Sequence, residues 1–198
     1  MRARLKSKDY ILIGVFSILI YIVNAIVGFA LTPVMATAAM PLISGVCLFF
    51  SAVVYLIMAM KIGKRGVLLL LAVVTGLIYT IMGVPLMLPF FILAGLLGEA
   101  VLLNGDGSQY RGLMRQALAY AAYGALFGIG AYVTVYVYGS DYLEKMYDEE
   151  MRGSMLSFAH SPAWIIGSMA FSFALTLLGS WFGAKLLNKH FIKAGMIK

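Results

Sequence analysis

The side chains with chemistry to offer are few and lie far apart. Glu99 is the only acid well inside an apolar run, His160 and His190 flank opposite ends of the run 163–187, and Cys47 has no second cysteine. Hydrolysis within a membrane would need paired acids, histidines or a Ser–Lys dyad at depth, and only Glu99 is available. Two histidines near opposite surfaces exclude a multi-histidine metal site. The single thiol excludes an intrachain disulfide and reads as a small core residue. The patterns G-x-x-x-x-G-K-[ST], H-E-x-x-H, G-x-S-x-G and C-x-x-C are all missing. Gly105-Asp106-Gly107 is too short for a phosphate cradle and lacks its lysine, so no cofactor is expected in this chain.

Glu99 lies about one turn from the end of its run and shares a face with Gly95. An ionised carboxylate is costly to bury, so it must be paired, protonated or near an interface. Arg111 or Arg115 can reach it from the next loop; a contact to a partner protein and a proton relay are the other roles open to it. A relay would want further acids or histidines in the membrane, and there are none.

Ser17, Tyr21, Asn24 and Gly28 are spaced 4, 3 and 4 and share one helix face. A buried asparagine bonds either a neighbouring helix or a ligand. Tyr79, Met82, Met87, Tyr132, Tyr136, Tyr138, His160 and Trp164 gather toward one side of the apolar runs. They are either an interfacial aromatic belt or the wall of a site suited to a flat aromatic or tetrapyrrole-like ligand. His160, in His-Ser-Pro-Ala-Trp, is either a loop residue or part of that wall.

The elements that must position these residues follow from composition. The chain has 198 residues, 63% hydrophobic and 12% charged, against roughly 45–50% and about 25% in soluble domains. A single globule cannot hide so much apolar surface, so lipid is its expected solvent. A hydrocarbon core of about 30 Å needs roughly 20 apolar residues as helix. Six runs meet or nearly meet this: 11–31, 35–60, 67–83, 86–103, 113–138 and 163–187. The expectation is an all-α polytopic bundle forming one domain over 1–198. A cleaved leader is not expected, because the first run is 21 residues, beyond the roughly 7–15 of a signal core. Of 15 lysines and arginines, only Lys145 and Arg152 fall on one side. That side is expected outside, with both ends of the chain in the cytoplasm. The net charge of +7 is spread over short loops, which suits an anionic membrane surface and excludes a nucleic-acid partner.

Small residues mark helix contacts: Gly179-x3-Gly183 below Ser168, Ser172 and Thr176, Gly124-x3-Gly128, and Ala94-x3-Gly98. The acidic stretch 139–162 is expected to be a long outer connection, either a lid or a spacer, with a short helix marked by Tyr142, Met146, Glu149 and Gly153.

The basic inner loops, the six runs and several short stretches together resemble the Trep_Strep, or MptD-like, family. Those stretches are 8–14, Met-Lys-Ile-Gly-Lys at 60–64, Glu99 followed by Gln-Tyr-Arg at 109–111, and Lys-His-Phe-Ile-Lys-Ala-Gly-Met at 189–196. The likeness implies a substrate-binding S component of an energy-coupling-factor (ECF) importer in a bacterial cytoplasmic membrane. Such a protein takes up a small micronutrient with a membrane coupling subunit and two ABC ATPases, which would bind the ATP. It also implies a pocket in the outer half, where Asn24, Tyr79, Met82, Tyr132, Tyr136, His160, Trp164 and Ser168 are expected. Docking is implied on the first helix near Gly14 and Ser17, with Glu99 as a further contact, although Gly14-Val15-Phe16-Ser17-Ile18 departs from the usual Ala-x-x-x-Ala. A ligand-free membrane scaffold and an intramembrane enzyme are the alternatives.

Overall fold

A computed structural model describes residues 4–34, 42–146 and 148–192. Among these the chain is helical, with no strand: α1 (Ser7–Ala30), α2 (Ile43–Ile62), α3 (Val67–Ile81), α4 (Met87–Val101), α5 (Leu113–Phe127), α6 (Gly130–Met146), α7 (Glu149–Ala159) and α8 (Pro162–Leu186). The start of the second expected span, 35–41, and the end of the 189–196 motif lie outside the described residues.

Four stretches are long and apolar enough to cross a membrane: Ser7–Ala30, Ile43–Ile62, Leu113–Gly139 and Pro162–Lys189. The third and fourth expected spans form shorter apolar helices of 15 residues each, about 22 Å long. Gly83, with φ 93°, turns the chain between them. Six expected spans thus become four helices of spanning length and two short ones.

The short helices have a cap in common. Glu99, near the end of α4, directs Oε1 at the free amides that open α3, accepting from Gly66 N–H at 3.0 Å and Leu68 N–H at 3.1 Å. A helix start leaves such donors unpaired, and a carboxylate there also meets the positive end of the helix dipole. At the same end of the molecule, Asp9 accepts from the Lys6 amide at 2.7 Å and pairs with Lys64 Nζ at 2.5 Å, tying the start of α1 to the chain beyond α2. Gly63 ends α2 with φ 58°, and a Cβ there would stand 2.7 Å from Arg111 Nε. The motifs at 60–64 and 109–111 therefore pack on each other.

Small residues do bring helices together. A Cβ on Gly179 would run into the Phe49 carbonyl of α2, and one on Gly183 would stand 3.2 Å from Val53 Cα. A Cβ on Gly124 of α5 would stand 2.5 Å from Thr176 Oγ1, one on Gly128 would run into Ser172, and one on Gly95 of α4 would stand 2.6 Å from Ala72 Cβ of α3. Helix α8 buries Ser168, Ser172, Thr176, Gly179, Ser180 and Gly183 as one stripe. By contrast Ile11, Val15, Ile18, Ile22, Ile26 and Phe29 of α1 are exposed. Their spacing of 4, 3, 4, 4 and 3 makes one apolar face that water would not favour and lipid would.

The acidic connection is mostly helix. α6 continues to Met146 across a break at Gly139 (φ 72°, ψ −171°). α7 then starts at Asp148, whose side chain accepts Met151 N–H at 2.8 Å. Pro162 opens α8, at a position whose amide has no partner inside the helix.

Candidate functional site

Two adjoining chambers lie inside the bundle. The deeper one, about 250 Å³, is bounded by α1, α2, α3 and α5, and the second, about 230 Å³, by α3, α4, α6 and the turn before α4. Ser44, Tyr79 and Phe127 line both, so these three side chains form the partition.

An aromatic ladder builds one wall. Tyr55 stacks on Tyr120 at 4.1 Å between centroids with planes 8° apart, and Tyr120 on Tyr123 at 5.7 Å and 11°. Phe127 follows at 5.8 Å, then Phe91 at 5.6 Å and Tyr79 at 5.0 Å. Residues 120, 123 and 127 are spaced 3 and 4 along α5, which puts them on one face. Hydrogen bonds hold the ladder in place. Tyr55 donates to Gln116 Oε1 at 2.6 Å, and Tyr120 and Ser51 share a bond of 3.2 Å.

The opposite wall of the deeper chamber comes from α1 and the first turns of α2. Cys47 Sγ donates to the Asn24 backbone carbonyl at 3.5 Å, and Tyr21 Oη reaches Met82 Sδ at 3.1 Å. Asn24 Oδ1 is buried with no hydrogen-bond partner among the described residues. It is the one such atom that belongs to a chamber-lining residue.

The second chamber is softer, with Met82, Val84, Met87 and Phe91 on its wall. Tyr142, from α6 beyond the break at Gly139, covers it. Burial pushes the Tyr142 hydroxyl above its usual range, so it stays neutral. Tyr138 leans on Tyr142 at 4.9 Å and accepts Leu86 N–H at 2.7 Å, which fastens this part of α6 to the turn before α4.

The expected site residues divide. Asn24, Tyr79 and Met82 line the chambers. Tyr132, Tyr136, His160, Trp164 and Ser168 line neither; they pack where α6, α7 and α8 meet. Tyr132 and Ser168 are buried against each other at 2.9 Å, and Ser168 donates to the Trp164 carbonyl at 2.7 Å. Tyr136 donates to the Ala159 carbonyl and its ring meets that of His160 at 6.1 Å. His160 Nδ1 lies 2.7 Å from the Leu156 carbonyl, and Trp164 packs on Phe158 at 5.0 Å. These contacts fix a helical corner. Proximity in the sequence pattern did not mean a shared cavity, because these five side chains are taken up by contacts among α6, α7 and α8.

Of the expected docking residues, Gly14 is half-buried with open space at its Cβ position, whereas Ser17 and Glu99 are buried. Glu99 is in neither of the two ion pairs among the described residues. Arg115 instead donates to the Asn104 carbonyl at 2.7 Å. The partners of Glu99 are the Gly66 and Leu68 amides at the start of α3, and not an arginine. The chambers themselves are smaller than a tetrapyrrole. A cavity of roughly 150 Å³ holds one benzene ring, so each chamber holds about two rings.

Sequence reasoning missed Ser44, Thr75, Tyr120, Tyr123 and Phe127. Only Tyr120, Tyr123 and Phe127 carried a signal, their helical spacing on α5.

A family model described as a hypothetical bacterial integral membrane protein, Trep_Strep, matches residues 7–193. The chain belongs to the Trep_Strep family. No curated protein and no solved structure matches it. As a Trep_Strep protein it is an integral membrane protein, in agreement with its four helices of spanning length and its exposed apolar face on α1.

Proposed function

We propose that this Trep_Strep protein is the substrate-binding S subunit of an ECF-type importer. It crosses the bacterial cytoplasmic membrane six times with both ends inside, α3 and α4 counting as short crossings. It takes a small micronutrient from outside and has no enzymatic step of its own. A membrane coupling subunit and two ABC ATPases are its partners, and they bind the ATP.

The observation that supports this reading most is the pair of uncharged chambers in the middle of the bundle, with an unpartnered amide oxygen on the wall of the deeper one. A buried polar atom left unsatisfied costs about 1–3 kcal/mol, which a solute bound beside Asn24 would offset. A pocket largely apolar with a few fixed polar groups is the usual form of a small-molecule site. The excess of lysine and arginine on one side supports the orientation.

The test is purification of the tagged chain from its own membranes under mild conditions. The expected result is co-purification of one membrane coupling subunit and two ATPases. A chain that comes away alone from membranes containing those subunits, and carries no small molecule, overturns the reading.

A further inference from the structure

We propose that the deeper chamber takes an uncharged, planar, two-ring nitrogen heterocycle that carries an N–H beside a hydrogen-bond acceptor, read along that edge by Asn24. This rests on the binding role proposed above and names the class of solute.

Charge is decided by the walls. Among the described residues, no Asp, Glu, Lys, Arg or His lines either chamber. The described residues also contain no cluster of His, Cys, Asp or Glu able to hold a metal ion. A carboxylate, phosphate or ammonium group entering here would exchange its hydration for hydroxyls and one amide, which does not compensate a full charge. Ser44 stands in the first turn of α2, where the positive end of the helix dipole favours a partial negative charge such as a ring carbonyl.

Shape is decided by the ladder and the volume. Tyr120 and Tyr123 hold nearly parallel rings, 11° apart, with Phe127 tilted 49° beyond them, an aromatic wall against which a flat ring packs offset or edge-on. At about 250 Å³ the chamber has room for two fused rings on the scale set by benzene in roughly 150 Å³.

The hydrogen-bonding edge is decided by Asn24. Its amide is a donor beside an acceptor, and Oδ1 is buried without a partner among the described residues. Which end of the amide faces the chamber does not matter to the argument. A ring edge with N–H and acceptor side by side satisfies both at once, as an adenine edge does with asparagine in nucleic-acid recognition.

The experiment uses the full chain in lipid nanodiscs. Small molecules released on denaturation are identified by accurate mass, and two probes are titrated: quinolin-2(1H)-one, a neutral lactam, and quinoline-2-carboxylate, with the same rings and a charge. The expected result is a released neutral heterocycle, or saturable binding of the lactam at least about tenfold tighter than of the carboxylate. Asn24→Leu weakens lactam binding about tenfold. Asn24→Asp, of the same shape, does so in a chain whose folding is verified by its elution profile and helicity. A released carboxylate, phosphate or cation, or equal binding of the two probes, overturns the class while leaving the binding role intact. Unchanged lactam affinity in both Asn24 variants overturns the assignment of Asn24. Absence of any released solute together with absence of probe binding removes the binding role as well.

Discussion

Glu99 Oε1 lies 3.1 Å from the Leu68 amide nitrogen and accepts its proton. One carboxylate oxygen thus closes the start of a neighbouring helix through this amide and that of Gly66. Removing the carboxylate strands buried amides, at about 1–3 kcal/mol each. Glu99→Ala is therefore expected to lower stability by about 2–4 kcal/mol, while Glu99→Gln, which keeps an acceptor, costs under about 1 kcal/mol. Thermal unfolding in nanodiscs measures both. Equal losses would mean that charge, and not capping, is what the site requires.

The contact between α2 and α8 gives a second expectation. Gly179 sits against the backbone of Phe49, while Gly167, on the same helix, has open space at its Cβ position. Gly179→Leu forces the helices apart and should remove most of the folded protein. Gly167→Leu should change stability by no more than about 0.5 kcal/mol. Folded yield by size-exclusion fluorescence distinguishes them, and similar yields would contradict the close packing.

Tyr138 fastens α6 over the second chamber through the Leu86 amide. Tyr138→Phe removes that acceptor and should cost about 1 kcal/mol. The change should be local: faster hydrogen exchange in 130–146, with the rest of the bundle unaffected. Uniform protection across the chain would show that this bond does not hold α6 down.

Tyr136 and His160 meet each other and the end of α7, away from both chambers. Tyr136→Ala and His160→Ala should leave solute occupancy within about twofold, a difference of under about 0.5 kcal/mol. Tyr79→Ala, at the partition, should lower occupancy by at least about tenfold. Quantifying bound solute per chain in the three variants checks this, and the reverse ranking would move the site to the α6–α7–α8 corner.

The helices and their close contacts were legible in the sequence because both depend on local signals. A run of twenty apolar residues has one stable form in lipid, and Gly179-x3-Gly183 marks a contact whatever the partner. The face shared by Ser17, Tyr21 and Asn24 was legible too, and two of the three line the deeper chamber. The inward face of α5 was not. In a soluble protein the polar side of a helix reveals its buried side, but in lipid both sides are apolar, so Tyr120, Tyr123 and Phe127 look like any other stripe. The partners of Glu99 were not legible for a related reason. They are backbone amides of another helix, and backbone donors leave no trace in residue types.

The claim that the deeper chamber holds a small solute is tested most directly by comparing wild type with Thr75→Phe, which places a ring inside that chamber. Both are purified in nanodiscs from cells grown in rich medium, verified as folded, and denatured to quantify released small molecules. The claim requires a solute approaching one per chain in wild type and none in the variant. Equal amounts from both, or none from either, would contradict it.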